Sequence, residues 1–144
     1  MKRISIVVAV TLFGVGSVLA TPEGSALMKN TGKALATVLA ATAKGDKPYA
    51  QADIDAALNV LADTAAKMPT LYPDSVKTAA PSGDYGPSPK VFDDKAGYAK
   101  AVADFAAAVT AAKASVKDLD SLKAAMPTIT KNCSGCHETY RVKI

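Results

Sequence analysis

The chain has 144 residues but only two cysteines and one histidine, and all three fall within the five residues Cys133-Ser134-Gly135-Cys136-His137. A Cys-x-x-Cys-His spacing reads as the attachment site of a c-type haem. On a helix, residues three apart share a face. Both sulfurs can therefore bond to the two vinyl-derived carbons of one porphyrin, and His137, the next residue, can reach the iron from below the ring. Gly135 leaves room for a macrocycle to approach the backbone. Three other readings of the same residues are weaker. A disulfide between Cys133 and Cys136 closes a very small loop and adds little stability. A redox dithiol of the thioredoxin kind sits between a strand and a helix N-terminus, whereas this motif lies near the end of a chain with helical patterning throughout. A structural zinc takes four Cys or His ligands, and only three such residues exist. No paired acids, nucleophile–base arrangement or open metal site of the kind an enzyme needs is evident, so the chain reads as non-enzymatic.

The first twenty residues precede the domain that must position this motif. Lys2 and Arg3 form a basic start, Ile4 to Leu12 an apolar run, and Val18-Leu19-Ala20 a small-residue cleavage site before Thr21. That is the layout of a secretory signal peptide, and the apolar run is short for an uncleaved membrane anchor. Residues 1–20 are thus expected to be removed, leaving a domain over residues 21–144 that works outside the cytoplasm, in the periplasm, with no further membrane attachment. Without Lys2 and Arg3 the chain keeps 15 basic and 13 acidic residues, a net charge of +2 with the histidine neutral. No block of basic residues is interleaved with aromatics, which excludes nucleic acid as a partner.

Four helical stretches follow. The first spans about Pro22 to Lys44: Thr21 can cap it, Pro22 suits its first turn, and Gly45 suits the position just past its end. Met28, Gly32, Leu35 and Leu39 recur at helical spacing along one face. The second, about Gln51 to Met68, aligns Ile54, Leu58, Leu61, Ala65 and Met68 before Pro69 stops it. Five prolines and two glycines between Pro69 and Pro89 mark a long connection, functional or wrapped tightly over the surface. The third helix, about Asp94 to Lys117, carries Tyr98, Val102, Phe105, Val109, Ala112 and Val116. The fourth, about Leu119 to Lys143, aligns Leu122, Met126, Ile129, Cys133, Cys136, His137 and Tyr140, and Pro127 should kink it or split off its first turns. No alternating strand pattern competes, and the expected fold is all-α: an antiparallel up-down four-helix bundle with the haem beside the C-terminal helix. Alanine fills 29 positions, aromatics only 6% of the chain, and tryptophan is absent. Helices lined by alanine leave little bulk to interdigitate, and a flat apolar porphyrin would fill the space between them.

With the motif near the C-terminus of a four-helix chain, followed by Glu138-Thr139-Tyr140-Arg141, the sequence resembles the class II c-type cytochromes, the cytochrome c′ family. The likeness extends over residues 21–144 and takes in the Lys44-Gly45-Asp46-Lys47-Pro48-Tyr49 link and the Ser88-Pro89-Lys90-Val91-Phe92 segment. Within that family, Leu27-Met28-Lys29-x-x-Gly32 looks like the low-spin cytochrome c556 branch. The resemblance implies one covalent haem c, with Cys133 and Cys136 as thioether anchors, His137 as proximal iron ligand and Met28 as the distal one. It further implies that Arg141 lies beside the haem edge, four residues after His137 on the same helical face, and that the domain is a monomer or a homodimer exchanging electrons with redox partner proteins. A methionine on a buried helical face is also an ordinary core residue. If Met28 only packs, the iron is five-coordinate, as in cytochromes c′ proper, and open to nitric oxide or carbon monoxide. A haem-stabilised domain of structural or sensory use is a third reading. Met68 and Met126 read as packing residues, and Arg141 could equally be a solvated cation at a helix C-terminus. Gly24 stands where many members of the family carry a basic residue, which removes a propionate partner from the first helix.

Overall fold

The computed structural model describes residues 22–77 and 84–143. The leader assigned to residues 1–20, and Thr21 as a cap, lie outside the described residues.

Helix α1 is built of three consecutive segments, Pro22–Ala34, a π-helical stretch Leu35–Ala40, and Ala41–Lys44. It stops at Gly45, whose φ of 87° is open chiefly to glycine. There the Gly45 N–H donates to Thr42 O at 3.0 Å and the Asp46 N–H to Ala41 O at 2.9 Å, the paired bonds of a Schellman cap. Helix α2 covers Gln51–Lys67, α3 Lys95–Ser115 and α4 Leu119–Tyr140. Asp94 caps α3 by accepting from the Gly97 N–H at 3.0 Å. Asp118 and Ser121 form a reciprocal capping box at the start of α4.

The four helices pack as the expected bundle. The stripe predicted for the second helix is buried from Ile54 to Met68, and so is the stripe of the third from Tyr98 to Val116. Leu39, Ile54, Leu58, Leu61, Leu122 and Ile129 are fully buried. Each such side chain contributes roughly 1.5–3 kcal/mol before entropy costs, which makes this half of the bundle the firm part of the fold.

Three features depart from expectation. The π-helical stretch in α1 is not visible in the apolar spacing, because its i→i+5 bonds shift the register by one residue without changing which residues are apolar. Of the two outcomes expected at Pro127, a kink or a split, the split does not occur: α4 is one helix through that residue. The fourth helix ends at Tyr140 rather than continuing to Lys143. Ser88 takes its last carbonyls, its backbone N–H donating to Tyr140 O at 2.9 Å and its hydroxyl to Thr139 O at 2.8 Å. Beyond that point Arg141–Lys143 (β2) is extended and pairs antiparallel with Tyr85–Pro87 (β1), Gly86 standing opposite Val142. A two-stranded ribbon thus exists where no strand was expected, and it ties the described C-terminal end of the long connection to the end of the chain's last helix. Leu71 and Val76 bury themselves, and Lys77–Asp93 and Lys95–Asp74 form ion pairs at 2.6 and 2.7 Å. Those pairs are exposed and fix geometry more than stability.

Candidate haem site

Helix α4 turns Cys133, Cys136, His137 and Tyr140 inward, about one to three turns beyond the fully buried Ile129, and leaves Ser134, Gly135 and Glu138 exposed. The two sulfurs and the imidazole therefore share one flank of a single helix, as their spacing implies. A Cβ added at Gly135 would meet nothing within 4 Å. The protein's own packing does not require glycine there, and the backbone face stays open to a large neighbour.

A cavity of about 100 Å³ lies against this flank and all four helices wall it. Met28, Thr31, Gly32 and Leu35 come from α1, Ala101 and Phe105 from α3, and Asn132, Cys133, Cys136 and His137 from α4; Thr64 of α2 and Met68, which follows that helix, complete the wall. Gly32, like Gly135, has open space where a side chain would stand. Leu35, Cys133 and His137 also border an outer cleft of about 480 Å³, which Thr130, Ser134, Glu138 and Arg141 complete. The two spaces together are of the size usual for small-molecule and cofactor pockets, a few hundred to about 1,000 Å³.

Burial pushes both thiols above their ordinary range, and at Cys133 the neighbouring Cys136 adds to it. Burial also holds the His137 imidazole below its usual value, and the positive charge of Arg141 adds to the effect. A neutral imidazole has a lone pair free for a metal at neutral pH. Among the described residues no three His, Cys, Asp or Glu side chains are gathered to hold a bare ion. One imidazole, two thioethers, two thiols on a helix flank and an apolar cavity suit an iron that brings its own equatorial ring of donors. The residues fit a covalently attached haem.

The end of α4 is braced from below. Tyr98 stacks edge-on between Tyr72 and Tyr140, at centroid distances of 6.1 and 5.4 Å, and its hydroxyl donates to Met68 O at 3.1 Å. The Tyr140 hydroxyl donates to Asp94 Oδ2 at 2.9 Å. A side chain at Gly97 would collide with both members of that bond, so glycine here permits the close approach of α3 to the motif-bearing helix. The bond to the Gly97 N–H, then that to Tyr140, holds the Asp94 carboxyl below its ordinary range.

Of the residues singled out from sequence, Met28, Cys133, Cys136 and His137 line one cavity. Arg141 corrects the expectation that it shares a helical face with His137: it lies past the helix end, in extended backbone, because Ser88 has capped α4. Its guanidinium rests 4.5 Å from the centre of the Tyr85 ring while the residue also borders the outer cleft. Met126 packs against the core as expected. Met68 is buried as expected, and it also faces the cavity, which makes it a second thioether in the same space. Thr31, Thr64 and Asn132 were not singled out from sequence, and Phe105 was read there only as part of an apolar stripe. Thr31 follows Met28 by three residues and Thr64 precedes Met68 by four, so helical spacing from the two methionines is the signal that finds them.

A family model described as Cytochrome C′ matches residues 22–141. The chain is 49% identical over 118 residues to cytochrome c-556 of Rhodopseudomonas palustris, covering 81% of this chain and 78% of that protein. Among solved structures it resembles an NMR-validated structural model of oxidised R. palustris cytochrome c556, with a TM-score of 0.74, 46% identity, and coverage of 85% of this chain and 95% of that one. It also resembles cytochrome c′ from R. palustris, with a TM-score of 0.76, 35% identity, and coverage of 86% and 96%.

Proposed function

We propose, starting from the fact that the chain belongs to the cytochrome c′ family, whose members carry haem c, that it is a periplasmic single-electron carrier with His137 and Met28 as axial ligands of a low-spin iron. When bound, haem c supplies an iron centre that gains and loses one electron. Cys133 and Cys136, on one helix flank, would hold the ring through two thioethers. His137, neutral near pH 7, offers its nitrogen from the same flank. Met28 offers a soft sulfur from α1, and a Met/His pair favours a raised reduction potential. The apolar walls, Leu35 and Phe105 among them, exclude water, so an electron arrives or leaves with little solvent rearrangement. Arg141, at the outer cleft, sits where a cation can meet a propionate or act on the iron through space.

The single observation behind this reading is that Met28 and His137 border one cavity together with both cysteines. Export fits the leader read at residues 1–20, and among the described residues no helix is long and apolar enough to cross a membrane. The test is the absorption spectrum of the protein and of Met28→Ala. A low-spin spectrum with a weak far-red sulfur-to-iron band, lost in Met28→Ala and kept in Met68→Ala, supports the assignment. A high-spin ferrous spectrum in the unaltered protein overturns it in favour of a five-coordinate, gas-binding cytochrome c′. Loss of the band in Met68→Ala alone would move the distal ligand to Met68.

A further inference from the structure

Within the largely apolar cavity wall, Thr31 and Thr64 form a buried pair of hydroxyls with their Oγ1 atoms 2.6 Å apart. Thr64 is fully buried and Thr31 is 7% exposed. Thr31 Oγ1 is 2.9 Å from Leu27 O and Thr64 Oγ1 is 2.9 Å from Val60 O, each a backbone carbonyl four residues back on its own helix. Three contacts thus compete for two protons, since each hydroxyl has one proton and two lone pairs. Two oxygens at 2.6 Å are at hydrogen-bond length and need a proton between them. One hydroxyl therefore donates to the other, which donates in turn to its own helix carbonyl. The arrangement has two equivalent forms, and in both of them every proton is spent inside the pair and its helices. Only lone pairs remain unused.

A buried, acceptor-only group beside a redox centre has a sign. It complements a cation or a hydrogen-bond donor and offers nothing to an anion. We propose that the Thr31–Thr64 pair is a positioning element that favours the oxidised, more positive state of this site and so lowers its reduction potential. The proposal rests on the electron-carrier reading above. A pair that merely joined α1 to α2 would affect stability and leave the potential where it was. In the low-dielectric interior, uncompensated lone pairs act on a change of one charge with far less screening than in water.

The experiment is a redox titration of the full haem-bearing protein, Thr31→Val/Thr64→Val against wild type, with absorption spectra and thermal melts on the same samples. Valine keeps the branched shape and removes both hydroxyls. The expected result is a shift of the one-electron equilibrium toward the reduced form by up to about tenfold, or about 59 mV upward, with the low-spin spectrum unchanged. Thr31→Ser/Thr64→Ser, which keeps the hydroxyls, should titrate like wild type. An unmoved potential in the valine variant, or an equal shift in the serine variant, overturns the proposal while leaving the electron-carrier reading intact. Absence of any reversible one-electron couple in the wild type removes both. Should the double valine variant not fold, Thr31→Val alone already abolishes the shared proton, and its potential must rise for the idea to stand.

Discussion

Replacing Cys133 and Cys136 by alanine and producing the chain without haem should leave a measurable hole. The cavity walled by all four helices measures about 100 Å³. An unfilled apolar cavity costs about 24 cal/mol per Å³ in cores that relax only partly, which gives about 2.4 kcal/mol here. The outer cleft is left out of that figure because it is open to solvent. For a domain of this size each kcal/mol moves the melting temperature by about 3–5 °C, so the haem-free variant should melt roughly 10 °C below the haem-bearing protein. The transition should also broaden, because Gly32, Ala101 and the two threonines supply little side-chain bulk with which to close the gap. Differential scanning calorimetry is the assay. A control separates the hole from the lost thiols: Cys133→Ala alone, with haem retained through Cys136, should melt close to wild type. A sharp transition at an unchanged temperature in the haem-free double variant would refute the reasoning, since it would mean that the bundle packs fully without the ring.

Two further outcomes follow from the bracing of α4 and the helix caps. Gly97→Ala places a methyl group against the Tyr140 hydroxyl and the Asp94 carboxylate; it should destabilise the protein by about 1–3 kcal/mol, as overpacked contacts do, read as a lowered urea midpoint despite alanine's better helix propensity. The carboxyls of Asp94 and Asp118 are held below their ordinary value of 3.8, chiefly by the hydrogen bonds they accept from Gly97 and Ser121. Their contribution is therefore complete at neutral pH and is lost as pH falls through their lowered folded values. Urea midpoints measured from pH 7 to pH 2 should drop at the acid end, and Asp94→Asn/Asp118→Asn should flatten that drop, whereas an unchanged slope would exclude these caps as its source.

What could be read from the chain alone was whatever depends on short separations. The Cys133–His137 spacing names its cofactor because helical geometry over five residues needs no tertiary help. The stripes Ile54–Met68 and Tyr98–Val116 are equally local: a period near 3.6 places them on one face, and burial follows. Met28 was singled out through its neighbours in the first helix and the family they resemble, and the structure places it on the wall of the same cavity as His137. Other features were settled only by long-range contacts. The end of α4 is set by Ser88, about fifty residues earlier in the chain, and that one contact turns Arg141 out of the helix and onto Tyr85. The π-helical stretch that carries Leu35 leaves no mark on hydrophobic spacing. The Thr31–Thr64 contact joins residues 33 apart, and neither threonine differs locally from one bonded to its own helix. Periodicity reports which face of a helix turns inward; what that face meets depends on how the other three helices close over it.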